Sequence, residues 1–212
     1  MKVILVNGSP HEKGCTFTAL SEAEKTLNEE RIDTELFWIG NKPISGCRAC
    51  EACGKLGRCV ISDDRVNEFT ARLDEFDGYI FGCPVHFAGM AGNMVSFMDR
   101  AFYSVSRSGK SPFMFKPVAG VVSARRAGTT AALDQLNKYL EYMQTVQITS
   151  RYWNMVHGNT PEEVLQDAEG LQIMRVLGRN MAWFLKLKEA GIKAGVPFPK
   201  LEDERLQTNF IR

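Results

Sequence analysis

Short apolar runs and stretches of helical periodicity take turns along the chain from its first residues, and no other feature constrains the fold as strongly. Val3 to Val6 is a buried-strand pattern that ends in the turn-rich NGSP, Asn7 to Pro10. Phe17, Leu20, Ala23 and Leu27 then recur on one face of a helix expected from about Thr16 to Glu30. Thr34 to Ile39 predicts a second strand, and Val66, Phe69, Leu73 and Phe76 mark a helix for which Ser62, Asp63 and Asp64 offer caps. A third strand, Gly78 to Cys83, is expected to stop at Pro84, with a helix from Gly92 through Arg100 behind it. Val118 to Val122 reads as a fourth strand, followed by a helix bearing Leu133, Leu136, Leu140 and Met143. Ile148 to Met155 reads as a fifth strand, and Leu171, Met174, Leu177, Met181, Phe184 and Leu185 mark a closing helix that begins near Pro161 or Asp167.

That order implies an α/β fold, an open doubly wound parallel sheet with helices on both faces. Ligands of such sheets bind beyond the carboxyl ends of the strands, so the loops after Val6, Cys83, Ser123 and the fifth strand are the ones to read for function. The 212 residues suffice for one substantial core, and 44% hydrophobic with 24% charged residues is an ordinary globular composition. A net charge of +1 gives no electrostatic case for nucleic acid or for an anionic membrane as partner. No apolar stretch approaches the ~18 residues of a membrane span. The four apolar residues before Asn7 are also too few for a secretory signal. The expectation is a cytoplasmic protein, in which clustered thiols point to metal or catalysis before disulfides.

GCRACEACGKLGRC, Gly46 to Cys59, carries four of the six cysteines, Cys47, Cys50, Cys53 and Cys59, separated by two, two and five residues. The surrounding stretch from Gly40 to Ser62 has no periodicity, so something other than a packed core must order it. Zinc sites built from two C-x-x-C pairs separate the pairs by ~15 to 20 residues, because each pair forms its own knuckle. Three cysteines at successive two-residue gaps instead wrap one compact iron-sulfur cluster, as in bacterial ferredoxins. Ferredoxins set the next cysteine after three residues with Pro behind it, whereas Cys59 follows after five and precedes Val60. Gly54 and Gly57 bend the return so that Cys59 reaches the fourth corner. The small residues Ala49, Ala52, Gly54 and Gly57 let amides turn toward the cluster sulfides. A [4Fe-4S] site is the favoured use of these thiols, with structural zinc and metal-free redox thiols as alternatives. Cys83 reads as a buried core thiol.

NGSPHEKGCTFT, Asn7 to Thr18, joins the first strand to the first helix with glycines and hydroxyls and a free helix start, a composition suited to holding an anion. It is neither a Walker A loop, since five residues separate Gly8 from Gly14 and Cys15 follows, nor a G-x-G-x-x-G turn. The same residues would also serve as a plain turn and cap. After the third strand, Pro84 with Gly89 and Gly92 lets backbone approach a flat ligand, and Phe87 is a candidate to shield one face, or else a core aromatic. SARRAGTT, Ser123 to Thr130, follows the fourth strand with small and hydroxyl residues. Its Arg125 and Arg126 read as surface charges.

GSPHEKGCT before a helix, GCRACEACGKLGRC after the second strand and GCPVHFAGMAGNMVSFMDR after the third together resemble the iron-sulfur flavoprotein branch of the flavodoxin-fold NADPH-dependent FMN reductases. The resemblance implies a flavodoxin-like five-stranded sheet in the order 2-1-3-4-5, with the cysteine loop inserted after strand 2 and a helical extension at the carboxyl end. The chain divides into one domain over residues 1–190, with the cluster loop at 40–62, and a tail over 191–212 whose end beyond Pro197 and Pro199, LEDERLQTNFIR, is polar enough to be mobile or draped on a partner subunit. By the same resemblance Ser9, His11, Cys15 and Thr16 hold the FMN phosphate, Pro84, Val85, His86, Phe87 and Gly89 lie along the isoalloxazine ring, and Ser123 and Ala124 complete the flavin site. Cys15 stands where the family commonly has Asn, so only its backbone amide is carried over, and His86 stands where Tyr is frequent. The implied function is an FMN-dependent oxidoreductase coupling FMN to a [4Fe-4S] cluster, with NAD(P)H or a ferredoxin-like protein as electron partner. A non-enzymatic electron carrier is the alternative. Flavin and cluster exchange electrons without needing a protein acid or base, so no catalytic residue is assigned. The family is typically oligomeric, which implies a homodimer or homotetramer whose cluster loop and tail bring two cofactors together.

Overall fold

The protein is described by a computed structural model over residues 1–202 together with 206 and 208. The expectation for the tail segment from Leu201 onward therefore falls mostly outside the described residues. Strands β1 (Lys2–Asn7), β2 (Asp33–Trp38), β3 (Gly78–His86) and β5 (Pro117–Ala124) pair in parallel in the order β2-β1-β3-β5, and β6 (Val146–Gln147) and β7 (Met155–His157) both pair with β5 on its far side. β4 (Gly89–Met90) is a two-residue return strand antiparallel to β3. The parallel strands thus keep the flavodoxin-like order expected, with two differences: a small hairpin strand intervenes in the numbering, and the last sheet position is filled by two separate pieces.

Alternation along each strand sends successive side chains to opposite faces, and both faces are buried. Ile4, Val6, Tyr79, Phe81, Val118 and Val122 enter one core with α3 (Val66–Ala71), α4 (Gly92–Arg107) and α5 (Thr129–Leu140). Val3, Leu5, Ile80, Ala119 and Val121 enter the other with α1 (Cys15–Glu29), the short α6 (Pro161–Val164) and α7 (Ala168–Lys193). The first core is aromatic: Phe69 lies 5.6 Å from Phe37, 6.0 Å from Phe81 and 5.3 Å from Phe97, centroid to centroid. In the second, α7 crosses α1 closely at Gly178, where an added Cβ would stand 3.0 Å from the Ala23 carbonyl oxygen. Among the described residues no helix is long and apolar enough to cross a membrane.

Four boundaries differ from the expectations. β3 runs through Pro84 to His86, and Pro84 occupies a paired register position opposite Ser123. The helix after it continues beyond Arg100 to Arg107. The helix carrying Val66 and Phe69 ends at Ala71, and Leu73–Glu75 form a separate 3₁₀ turn held by side chains: Tyr79 Oη donates to Leu73 O at 2.5 Å, and Lys116 Nζ to Phe76 O, just past the turn, at 2.6 Å. The fifth strand is interrupted because Ser150 Oγ donates to Tyr152 O at 2.7 Å, a local bond that competes with the ladder and throws Arg151, Tyr152 and Trp153 outward.

Glu35 on β2 ties the edge of the sheet to its neighbours: its carboxylate receives Lys2 Nζ at 2.8 Å from β1 and both terminal nitrogens of Arg72 at 2.6 and 2.9 Å. The Arg72 hydrogen bonds hold this carboxyl at about 2 against an ordinary 4.5. Its folded value is depressed, so its stabilisation is complete above about pH 4.5 and is lost as pH falls toward about 2. Glu35→Gln is therefore expected to lower the unfolding free energy by on the order of 1–2 kcal/mol at pH 7. Urea titrations of both proteins should show the gap narrowing as the pH is lowered through 4 to 3; a gap independent of pH would rule this role out.

Candidate functional site

Parallel pairing brings the carboxyl ends of β1, β3 and β5 to one edge, and the loops there interlock. Gly8 N donates to Gly82 O at 2.8 Å, Trp38 Nε1 to Ser9 O at 2.7 Å, and Gly158 N to Ala124 O at 3.0 Å. Asn7 is buried and shapes the first loop, its Oδ1 accepting Ser9 N at 3.0 Å and its Nδ2 donating to Glu12 O at 2.9 Å. Ser9 Oγ accepts His11 N at 3.1 Å, while the His11 side chain lies exposed on the rim. The loop delivers the chain to Gly14, the N-cap of α1, which has no side chain to bond the first-turn amides; no acidic residue stands in that turn either. By helix geometry these amides have no partner within the helix. Thr16, buried in that turn, sets its hydroxyl 2.8 Å from that of buried Ser123 at the end of β5. Cys15 Sγ donates to Gly158 O at 3.5 Å, and burial pushes this thiol up. Ser9, Cys15, Thr16, Ser123 and Ala124 are thus gathered at one place.

The second part of this edge is the β3–β4 hairpin. His86 pairs with Gly89, and the turn between them is Phe87–Ala88, both left-handed at φ 48 and 60. A two-residue turn of this hand fits the twist of the strands but strains side-chain-bearing residues. The third loop holds it: Gly128 sits at φ +95, where an added Cβ would come 2.6 Å from Ala88 Cα, and Gln135 Oε1 accepts Met90 N at 3.0 Å. Pro84, Val85 and Gly89 are half-buried along the hairpin and His86 is exposed. Phe87 is fully exposed at the tip and belongs to neither core. Cys83 is a core thiol behind the hairpin, pushed up to about 12 by burial, with Ala91 N donating to its sulfur at 3.3 Å. Arg125 and Arg126 are exposed.

The cysteine segment folds over α4. Its one regular element is α2 (Cys53–Leu56), a single turn beginning at the third cysteine. Ala49 and Glu51 are left-handed at φ 48 and 56, the alternation that turns successive backbone N–H groups to one side. Cys47, Cys50, Cys53 and Cys59 all line one small cavity with Arg100 and Tyr103 of α4. Among the described residues no three His, Cys, Asp or Glu side chains gather tightly enough for a single metal ion. Burial pushes the Cys53 thiol up, and the charges of Cys59 and Cys47 act in the same sense. Asn67 grips Cys59 by its backbone, accepting its N–H at 3.0 Å and donating to its carbonyl at 3.0 Å. Arg100 Nε donates to the Cys59 sulfur at 3.3 Å. Asn93, near the start of α4, takes Ile44 N at 3.2 Å and donates to Lys42 O at 3.0 Å, so one helix reaches from the hairpin to the cysteine cavity.

Asn7, Gly128 and Arg100 lie inside the stretches singled out from the sequence but were given no role there, and Trp38 and Asn67 were not singled out at all. The signal for Arg100 was present: it is a charged residue three positions after Phe97 and one before Ala101, on the buried stripe of an amphipathic helix.

Residues 1–160 match the family model described as NADPH-dependent FMN reductase. A protein from Methanocaldococcus jannaschii named iron-sulfur flavoprotein is 31% identical over 196 residues, covering 88% of this chain and 98% of its own length. Among solved structures, a flavodoxin from the domain Archaea superposes with a TM-score of 0.57 at 15% identity, covering 88% of this chain and 99% of that one. RosB with bound 8-demethyl-8-formylriboflavin-5'-phosphate superposes with a TM-score of 0.65 at 12% identity, covering 99% and 92%. At these identities the two structures show the shared fold.

Gly128→Ala is expected to lower the unfolding free energy by about 1–3 kcal/mol, because the new methyl group meets the Ala88 backbone as well as an unfavourable φ. Gly109→Ala, at φ +74 but with open space around it, is the control and should cost only the backbone term. Equal losses in chemical denaturation would mean that the hairpin contact carries no weight.

Proposed function

Because the chain belongs to the NADPH-dependent FMN reductase family, we propose that it is an FMN-dependent oxidoreductase that couples the flavin to a [4Fe-4S] cluster and draws electrons from NAD(P)H. The observation that carries this reading is the pairing of two sites on one helix. Four cysteines converge on a single cavity, and α4 runs from the hairpin at the sheet edge to that cavity.

Residues of the right chemistry for both groups are present. An uncapped helix start with no acidic residue in its first turn, together with the buried hydroxyls of Ser9, Thr16 and Ser123, is a donor set for a phosphate monoester. In this reading the first-turn amides of Cys15 and Thr16, with Ser9 and His11, hold the FMN phosphate; Pro84, Val85, His86, Phe87 and Gly89 border the ring, and Ala124 closes the site beside Ser123. Cys47, Cys50, Cys53 and Cys59 ligate the cluster, and the left-handed Ala49 and Glu51 turn amides toward it. When bound, the flavin exchanges one or two electrons and the cluster one, so together they connect hydride donors to single-electron partners. The chain's own task is to bind and orient: the hairpin fixes the backbone beside the ring, Asn67 fixes Cys59, and α4 sets the spacing of the two sites. We take the protein to work in the cytoplasm as a homodimer or homotetramer.

A second reading, an electron carrier for a ferredoxin-like protein, is favoured by the surface around the cavity. Arg48, Lys55 and Arg58 are exposed there with Leu56 and Val60, against Glu51 alone on the acidic side of the segment from 46 to 60, a surface suited to an acidic partner.

Protein purified without oxygen is expected to show flavin absorbance with a broad iron-sulfur band, and about four irons and four sulfides per chain. Cys53→Ser and Cys59→Ser should lose iron and keep flavin. A colourless chain that takes up neither FMN nor iron with sulfide on reconstitution would sink the proposal. Steady-state oxidation of NADPH or NADH by the loaded protein separates the readings: turnover supports the reductase, and its absence with electron transfer to a ferredoxin intact supports the carrier.

A further inference from the structure

Arg100 heads the large, fully buried side chains among the described residues. Its side chain is 0% exposed and pairs with Asp64, which is 5% exposed. A guanidinium this deep is stable only when its charge is matched and its donors are filled. Besides the Asp64 carboxylate, Arg100 donates to Ser45 O at 3.3 Å, to Ile61 O at 2.9 Å and, through Nε, to Cys59 Sγ at 3.3 Å. The other Asp64 oxygen accepts Val66 N at 3.0 Å and so anchors the pair to the start of α3. One buried cation therefore ties both ends of the cysteine segment and points an N–H at one of its sulfurs.

The carbonyls and the carboxylate explain how the segment is held; the sulfur contact asks for more. A neutral thiol is a weak acceptor, whereas a sulfur carrying negative charge forms a charge-assisted bond with a guanidinium. Nε is thus directed at a sulfur whose favoured state is ionised or metal-bound. On the cluster reading given above, we propose that Arg100 is a positioning residue that sets the electron affinity of the cluster, through its bond to the Cys59 sulfur and with Asp64 moderating its charge. Each added electron increases negative charge on the sulfurs, so a donor there stabilises the reduced form more than the oxidised form. Removing the donor lowers the potential, and removing its counter-charge raises it.

The test uses the full chain purified without oxygen, with iron and sulfide counted and the cluster reduced stepwise against mediator dyes. Asp64→Asn keeps the guanidinium and removes the opposing charge, so the cluster potential should rise. Arg100→Met combined with Asp64→Asn removes both charges and the N–H donor without stranding either charge, and the potential should fall below that of the unaltered protein. At the unaltered protein's midpoint, the ratio of reduced to oxidised cluster should be several-fold smaller in this double variant. Its iron–cysteine stretching band in resonance Raman should also move to higher frequency as the hydrogen bond disappears. A merely structural role predicts loss of iron in both variants and no opposed shifts. A fully loaded double variant with an unchanged potential overturns the proposal. If the double variant does not load, Asp64→Asn decides: a rise supports the proposal, and an unchanged or lower potential overturns it. An unaltered protein that binds neither iron nor sulfide overturns this proposal and the cluster reading together, whereas loaded proteins with matching potentials overturn this one alone.

Discussion

A strand buried on both faces and both edges must satisfy every backbone group through its neighbours, and β1 is that strand here. Val3 to Val6 are essentially without solvent contact, and their ladders run to β2 on one side and β3 on the other. Parallel pairing fixes the register of the three strands. Asn7, Trp38 and Gly82 are consequently level with one another, so the loops that leave β1 and β2 emerge at one edge beside the part of β3 that continues to His86. The gathering of Ser9, Thr16 and Ser123 follows from register before any of those residues makes a specific contact.

The cysteine segment obeys different physics. It has one helical turn, and three of its four cysteines lie outside the buried set. Its order comes from a few side chains of better-packed elements: Asn93 at its entrance, Asn67 at Cys59, and the Arg100–Asp64 pair across both ends. Such a segment is held at points, not along its length. α4 supplies two of those points and also packs Met94, Phe97 and Met98 into the aromatic core, so the position of the thiols depends on how well that core is filled.

The fold was legible where one physical rule dominated. Val3–Val6 and Val118–Val122 have no reading except buried strand, and the buried stripe of the last helix named its inward residues. Legibility failed where a long-range partner outweighed local pattern. Pro84 remains in β3 because pairing there does not need its missing N–H, and the turn at Leu73 is reset by Tyr79, six residues on, and by Lys116, 43 residues on. The four cysteines could be grouped by spacing alone. Their supports could not, since an Asn eight residues on from Cys59 and an Arg 41 residues on look ordinary until the chain is folded. Phe87 shows the same limit: its place in the loop after the third strand was readable, but the hairpin there and its projection into solvent depend on a left-handed turn that no local rule assigns to a Phe-Ala pair.

The interrupted last position of the sheet has its own consequence. A full-length rim strand would offer a row of bare amides and carbonyls on which another chain, native or misfolded, could extend the ladder. Here that rim is two fragments of two and three residues, with Tyr152 and Trp153 standing between them. An incoming strand finds no run long enough to zip against, so on this flank the molecule is guarded from polymerising through its own backbone.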